Sequence, residues 1–332
     1  MRIAVRVLAV VVLVAVLRYV VIPQFVQADA DLKSVHGLSP WTLLTGLALE
    51  LASLAALAGL TRSSFDPRDR PGFATVLRID LAGISVTNAV PAGSALALAV
   101  RYRLFARAGS RPPTIVGGFA AEGILSNLLL GGVFAAGLLL SIADVPPSPY
   151  YLVAAVVMVA IFGTASVTLA IAIRHREGVR RLAAAATRRM REQWQERIIR
   201  FLDDTVGNVA ALAADRPRFG FALFWGAVNW LLDIAALWVF LAAFGYHAPT
   251  GQLMLIYGLT SILAIVPITP GGVGIIEGVM VPLLIASGAA PGAALLGVIA
   301  WRLVQFWMPI PVGGLTGLSL LAWPDRLRRP TS

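Results

Sequence analysis

Residues 253–287 read LMLIYGLTSILAIVPITPGGVGIIEGVMVPLLIAS, an apolar stretch that is interrupted at its centre. A helix of about 20 apolar residues crosses the hydrocarbon core of a membrane, so the stretch has ample length to span it. Proline removes a backbone donor and glycine favours non-helical backbone, so a straight helix cannot continue through this centre. The stretch therefore predicts two half-helices joined by a break, whose residues are Pro267, Pro270, Gly271, Gly272 and Gly274.

The composition of the whole chain is that of a membrane protein. Of its 332 residues, 58% are hydrophobic and 13% are charged, and the mean hydropathy is +0.81. Soluble domains are typically about 25% charged, so a soluble enzyme and a disordered chain are both excluded. The absence of cysteine excludes a disulfide scaffold and a thiolate metal site. No Walker or dinucleotide-binding motif is present, and we expect no cofactor and no metal.

Six further runs are apolar and long enough to span a membrane without a break. They are residues 3–22, 41–60, 114–141, 150–173, 219–244 and 291–322. A second interrupted run, residues 79–100, breaks at the sequence NAVPAG, residues 88–93. We interpret the run at 3–22 as an uncleaved anchor rather than a signal peptide, because it has the length of a span.

The basic residues orient these runs. The net charge is +10, and most Arg and Lys residues flank apolar runs, which is a topology signal rather than a nucleic-acid site. The basic loops 61–78, 101–111 and 174–218 are predicted on the inside, as are both termini. Each interrupted run then begins and ends on one side. This predicts two re-entrant hairpins that enter a bacterial-type plasma (inner) membrane from opposite faces.

The order of the runs predicts an all-α polytopic membrane protein in a single membrane domain. It has six transmembrane helices plus two re-entrant helical hairpins in an inverted-topology repeat. The first repeat is 1–141 and the second is 150–322, which includes a cytoplasmic amphipathic basic segment at 174–218. Spacing supports the repeat, since Glu122 lies 31 residues after Pro91 and Arg302 lies 32 residues after Pro270.

Several motifs resemble those of the lysylphosphatidylglycerol synthase transmembrane (flippase) family. They are PGGVGIIEG at 270–278, WRL at 301–303 and PIPVGG at 309–314, with Asn88-x-x-Pro91-x-Gly93 and Glu122 in the first half. The resemblance covers about residues 41–321 and implies movement of a lipid between leaflets. Some relatives are implicated in polyprenyl-linked sugar pathways. A full synthase carries a soluble aminoacyl-transfer domain after the membrane part, and we expect a stand-alone membrane domain here. An Arg that follows Pro-x-Gly in many relatives is displaced, with Arg101 and Arg103 as the nearest candidates.

The candidate site residues are the charges inside apolar runs and the residues of the two breaks. A charge at the bilayer centre costs about 2.5–3.5 kcal/mol, so each needs a reason to be there. A half-helix that begins after a break favours an anion at its N-terminus, and Arg can bind a phosphate with two hydrogen bonds. The predicted substrate-binding residues are Arg302, Glu277, Glu122, Pro270, Gly271, Gly272, Asn88, Pro91 and Gly93.

Structural roles remain open for the same charges. Arg302 has a purely structural alternative, an ion pair with Glu277 or Glu122. Glu50 and Asp233 are candidate proton carriers, and the alternative for both is a structural hydrogen bond.

The favoured function is the transport of a phospholipid or lipid-linked saccharide head group between leaflets. The partner is then a membrane lipid and no nucleic acid, and a homodimer is compatible with the Gly-x-x-x-Gly pairs at 274–278 and 313–317. Two alternatives stay open. One is a membrane glycosyltransferase that uses Asp29 and Asp31. The other is a non-transporting scaffold of an envelope-synthesis complex that acts through the segment 174–218.

Overall fold

The computed structural model describes residues 39–90, 93–141, 164, 171, 175–188, 191–265 and 270–322. Within these ranges the regular structure is entirely helical. The first part contains α1 (Pro40–Ser64), α2 (Phe73–Ala89), α3 (Gly93–Arg107) and α4 (Pro112–Ser141). The basic segment contains α5 (Arg176–Ala186) and α6 (Glu192–Ala214). The last part contains α7 (Arg216–Ala243), α8 (Thr250–Ala264), α9 (Ile275–Ala286), α10 (Pro291–Arg302) and α11 (Pro309–Ala322).

Four helices are long and apolar enough to cross a membrane. They are α1, α4, α7 and the continuous stretch Pro291–Leu320, which joins α10 to α11. The shortest of them has 25 residues, or about 37 Å at 1.5 Å per residue, against a hydrocarbon core of about 30 Å. They coincide with four of the six predicted spans. The other two, 3–22 and 150–173, lie outside the described residues except for Thr164 and Ile171.

Helical structure stops at both predicted breaks. In the first half, α2 ends at Ala89 and α3 begins at Gly93, and the two helices pack against each other. In the second half, α8 ends at Ala264, a short 3-10 turn follows at Pro270–Gly272, and α9 begins at Ile275. Gly271, Gly272 and Gly274 have positive φ angles of 51°, 70° and 84°, a conformation that other residues adopt with strain. The face from which each pair enters the membrane stays a prediction.

One order of elements occurs twice along the chain. A long helix, a broken pair and a second long helix appear as α1, α2–α3 and α4, and again as α7, α8–α9 and α10–α11. The inverted-topology repeat, including the opposite orientation of its two units, stays a prediction.

Small residues let the long helices approach closely. A Cβ atom at Gly46 of α1 would lie 2.5 Å from the Phe240 ring of α7, and one at Gly59 would lie 2.7 Å from Trp225. Gly313 and Gly317 of α11 face the α2 backbone near Leu81 and Ala82. Close packing of this kind stabilises helix pairs in a membrane, where lipid is as apolar as the side chains. The second Gly-x-x-x-Gly pair thus packs within the chain, and a homodimer stays a prediction.

Large apolar side chains cover the outside of the bundle. Trp41, Leu139 and Leu315 are 77%, 69% and 70% exposed, as expected for groups that face lipid. The basic segment forms two helices, because α5 ends at Ala186 and α6 begins at Glu192. Apolar residues of α6, Val209 and Leu212, are buried in a small core with residues of α1, α4 and α7.

Candidate functional site

The two breaks lie next to each other in the folded chain. The Asn88 side chain near the end of α2 donates its Nδ2–H to the Phe306 carbonyl oxygen at 3.0 Å. A Cβ atom at Gly271 of the second break would lie 3.1 Å from Asn88 Oδ1. Phe306 belongs to a π-helical turn, Leu303–Trp307, a feature that is frequent at functional sites. The fold therefore brings the end of α2, just before the first break, beside the second break.

Arg302 forms a closed ion-pair cluster beside the second break. Its Nε donates to Glu277 Oε1 at 2.9 Å, its Nη1 to Gln305 Oε1 at 3.1 Å, and its Nη2 to the Gly271 carbonyl oxygen at 3.0 Å. Its guanidinium also lies 4.3 Å from the centre of the Phe306 ring. The other carboxylate oxygen of Glu277 accepts the Gly274 N–H at 2.6 Å and so caps α9. We call this group the Arg302 cluster.

Arg101 forms a second cluster in the first half, and this one is incomplete. Its Nη2 donates to Asp80 Oδ1 at 2.7 Å and to Glu122 Oε2 at 2.8 Å, with Thr61 Oγ1 at 3.4 Å. Its guanidinium lies 4.5 Å from the centre of the Phe119 ring. Arg101 Nε and Asp80 Oδ2 are buried and have no hydrogen-bond partner among the described residues. We call this group the Arg101 cluster.

A cavity of about 270 Å³ borders the Arg101 cluster. It lies between the two helices of the first broken pair. Its polar lining comes from Asp80, Thr87, Ser94 and Arg101, and its apolar lining includes Leu57 and Leu98. The neighbouring cluster holds one guanidinium and two carboxyl groups, so it offers both a donor and acceptors to a bound group.

Two carboxyl groups meet in the core between α1 and α7. Asp233 accepts the Tyr257 hydroxyl at Oδ2 and the Trp301 indole N–H at Oδ1, both at 2.6 Å. The Glu50 carboxyl group lies close enough to Asp233 to interact with it electrostatically, and both residues are buried. Trp301 precedes Arg302 in the chain, so this pair connects directly to the Arg302 cluster.

One acidic residue outside the apolar helices is tied to the start of α4. The Asp69 carboxylate accepts Arg111 Nε at 2.6 Å and the Thr114 hydroxyl at 2.8 Å. Partial burial raises the pKa of Asp69, but the two hydrogen bonds and the Arg111 charge outweigh it and lower the pKa below its ordinary value. Asp69 therefore anchors the α1–α2 connection to α4.

The structure brings most of the candidate residues into these two clusters. Arg302, Glu277 and Gly271 share one cluster, Glu122 belongs to the other, and Asn88 bridges the breaks. Of the two ion-pair partners considered for Arg302, the structure pairs it with Glu277. Gly93 begins α3, and Pro270 and Gly272 form the short turn. Pro91 lies outside the described residues, as do Asp29 and Asp31 of the glycosyltransferase alternative.

Sequence reasoning missed three residues of this region. Asp80 lies at the start of an interrupted apolar run and was not counted among the buried charges, although a carboxyl group there was a usable signal. Tyr257 and Trp301 donate hydrogen bonds to Asp233 from α8 and α10. Nothing in their local sequence separates them from ordinary aromatic core residues.

Comparisons with known proteins agree with the motifs. Residues 3–313 match the family described as "Lysylphosphatidylglycerol synthase TM region". Two UPF0104 membrane proteins of Methanothermobacter thermautotrophicus are 26% identical over 84 residues and 25% identical over 118 residues. These alignments cover 25% and 36% of this chain, and 25% and 34% of the relatives. A UPF0104 membrane protein of Pyrococcus horikoshii is 27% identical over 108 residues, 32% of each chain. The matches thus span about a third or less of the relatives' length.

Proposed function

Because the chain belongs to the lysylphosphatidylglycerol synthase TM region family and is an integral membrane protein, we propose that it transports lipid head groups between leaflets. The head group carries a phosphate and enters at the cavity beside the Arg101 cluster. The acyl chains stay in the surrounding bilayer. In this proposal both termini lie in the cytoplasm of a bacterial-type plasma membrane.

The observation that carries the proposal is the incomplete hydrogen bonding of the Arg101 cluster at the cavity. Arg101 Nε lacks an acceptor and Asp80 Oδ2 lacks a donor within the described part of the chain. A buried polar group without a partner costs about 1–3 kcal/mol, so a ligand that supplies both partners is stabilised there. A phosphate oxygen would accept from Arg101, and a hydroxyl or ammonium group would donate to Asp80. Phospholipids and lipid-linked saccharides offer both kinds of group.

The adjacent breaks supply the second half of the proposed path. Non-helical backbone at membrane depth is tolerated where protein buries it or where it lines a polar cavity. Asn88 contacts Gly271 and Phe306 at this point, and the Arg302 cluster lies directly beyond. In the proposed cycle one repeat rocks against the other, and Arg302 binds the phosphate once its bridge to Glu277 opens.

The experiment that tests the proposal is a leaflet assay in proteoliposomes with head-group-labelled phosphatidylglycerol as the probe. The Arg101→Lys variant keeps a positive charge but loses the planar fork, so we expect transport to fall about tenfold. Arg107→Lys, the same change at an exposed position of the same helix, is the matched control and should transport normally. Equal rates in the two variants would contradict the assignment of Arg101. Absence of transport by the unmodified protein, with phosphatidylglycerol and with a polyprenyl-linked saccharide, would contradict the function itself.

The re-entrant topology has its own test, because the chain contains no cysteine. Ser94→Cys lies one residue into α3, and Gly278→Cys lies on an exposed part of α9 with open space around its Cβ. If the hairpins enter from opposite faces, a small membrane-impermeant thiol reagent should label the two cysteines preferentially from opposite sides. Preferential labelling of both from one side would show that the repeat is not inverted.

A further inference from the structure

We propose that Glu50 is a proton-binding site, and that release of its proton is coupled to opening of the Arg302–Glu277 bridge. The proton lies on Glu50, which donates it to the Asp233 carboxylate. The transport role of this site rests on the proposed function, whereas the proton site itself does not.

The hydrogen-bond partners show which of the two carboxyl groups is ionised. Both oxygens of Asp233 accept donors, one from Tyr257 and one from Trp301, which is the environment of a carboxylate. Glu50 has no such support, because its Oε2 is buried and has no partner among the residues that the structure describes. Glu50 is 3% exposed and its carboxyl group lies near that of Asp233, so ionising both would place two like charges together away from water. A proton on Glu50 leaves only one negative charge on the pair and so removes the repulsion between the two carboxylates.

The groups that act on the pair come from four helices. Glu50 lies on α1, Asp233 on α7, Tyr257 on α8, and Trp301 and Arg302 on α10. Arg302 is a cation that acts on Asp233, and it is already bound to Glu277. Release of the Glu50 proton adds a negative charge that Arg302, in this arrangement, does not balance.

This imbalance links the pair to the second break. Arg302 can compensate the new charge only by turning toward Asp233, and this breaks its contacts with Glu277 and the Gly271 carbonyl oxygen. Trp301 makes the link mechanical as well, since it bonds to Asp233 and precedes Arg302 on the same helix. Proton release in the core thereby frees the guanidinium and the backbone of the break, the groups to which the proposed path leads.

Infrared difference spectroscopy of the purified full chain tests the proton site without any lipid substrate. We expect a carbonyl stretching band of a buried protonated carboxylic acid that persists at neutral pH. Glu50→Gln should remove the intensity that belongs to Glu50, whereas Glu196→Gln, the same change at an exposed residue of α6, should leave the band intact. Tyr257→Phe removes a donor to Asp233 and should shift that same component, which gives a second variant if Glu50→Gln fails to fold. A band that is absent from the unmodified protein or unchanged in folded Glu50→Gln overturns the proposal.

A pH gradient across the proteoliposome membrane tests the coupling. One pH unit changes the proton free energy by the equivalent of about tenfold, so we expect the rate of head-group movement to change by up to about tenfold with the gradient. Glu50→Gln should move lipid at a rate that does not depend on the pH gradient, whereas the rate of Glu196→Gln should change with the gradient as it does in the parent. An unchanged response in Glu50→Gln overturns the coupling. If the parent moves no lipid, the proposed function fails, and the infrared band alone decides the proton site.

Discussion

The Arg302 and Arg101 clusters each contain a guanidinium paired with a carboxylate, but they differ in how many of their buried polar atoms have hydrogen-bond partners. Arg302 donates from all three of its nitrogens to protein acceptors, and its side chain is 4% exposed. Arg101 directs its hydrogen bonds through one nitrogen, leaves Nε unpaired, and borders a cavity. The positions of the positive and negative residues are also exchanged. In the first half the broken pair carries the cation, Arg101, and α4 carries the acid, Glu122. In the second half the broken pair carries the acid, Glu277, and α10 carries the cation, Arg302.

We therefore call the Arg302 cluster the lock, because it holds one conformation, and the Arg101 cluster the receptor, because it is the proposed binding site. A buried ion pair with every partner satisfied holds a conformation, because removing one partner strands the other charge. An ion pair with unpaired atoms next to a cavity has polar groups that a ligand could satisfy. Under the proposed function, the first half is therefore the half prepared for binding in this conformation, and the second half is the half that must open.

The largest effect should come from removing the lock. Arg302→Ala leaves Glu277 buried without its cation, and we expect the free energy of unfolding to fall by about 3–5 kcal/mol. Arg101→Ala should cost less, because the adjacent cavity lets water reach the stranded carboxylates. Thermal unfolding in detergent, with Arg107→Ala as the control, measures both. An Arg101→Ala variant that is less stable than Arg302→Ala would reverse the assignment of lock and receptor.

The tightness of the second break gives the next effect. Gly271→Ala combines a positive φ angle with a Cβ atom that meets the Phe306 ring and Asn88, so we expect a loss of about 1–3 kcal/mol. Gly274→Ala also places a side chain at a positive φ angle, with φ 84° and ψ −35°, but open space surrounds its Cβ, so its loss comes from the backbone rather than from a steric contact. The unfolding midpoints of the two variants compare a steric loss with a backbone loss. A Gly271→Ala variant as stable as the parent would mean that the second break is loosely packed.

Filling the cavity should change transport more than stability. Ala97 lines the cavity, and Ala97→Leu should reduce head-group movement several-fold, while overpacking lowers the free energy of unfolding by at most about 1–3 kcal/mol. Ala99→Leu makes the same change at an exposed position of α3 and should do neither. Rates in proteoliposomes and unfolding midpoints should be measured on the same preparations. Normal transport by Ala97→Leu would show that the cavity is not the entry site.

The smallest effect concerns the Asp69 anchor outside both clusters. Its folded-state pKa is lowered, so its carboxylate adds stability above the ordinary Asp pKa of about 3.9, and this is lost as the pH falls toward the lower folded value. Asp69→Asn should therefore reduce the unfolding midpoint slightly at pH 7 and converge with the parent under acid conditions. A difference that grows as the pH falls would contradict this sign.

The long helices and both breaks were accessible from the sequence. The length of a transmembrane apolar run follows from the thickness of the membrane. Proline and glycine interrupt a helix through their own local backbone properties. Both features can therefore be recognised without knowledge of the tertiary structure. The predicted run at 41–60 lies within α1, and the run at 219–244 nearly coincides with α7.

The partners of the buried charges were not accessible in the same way. Glu50 and Asp233 each stand out as a charge in an apolar run, but their contact exists only because α1 packs on α7. The choice between Glu277 and Glu122 as the partner of Arg302 likewise depends on which helices are neighbours. Arg101 was a candidate for the displaced Arg of the family motif. Its pairing with Asp80 and Glu122 depends on how α2 and α4 pack beside α3, which the sequence does not show.

Asn88 makes the two halves an interlock. Its amide group lies close to the Gly271 turn and donates to the Phe306 carbonyl oxygen, so a single side chain of the first break contacts both the second break and the π-helical turn after α10. A displacement of α2 relative to the second break would break this hydrogen bond. In the proposed transport cycle, the two halves are therefore coupled at Asn88, and movement of one half is transmitted to the other through a single amide.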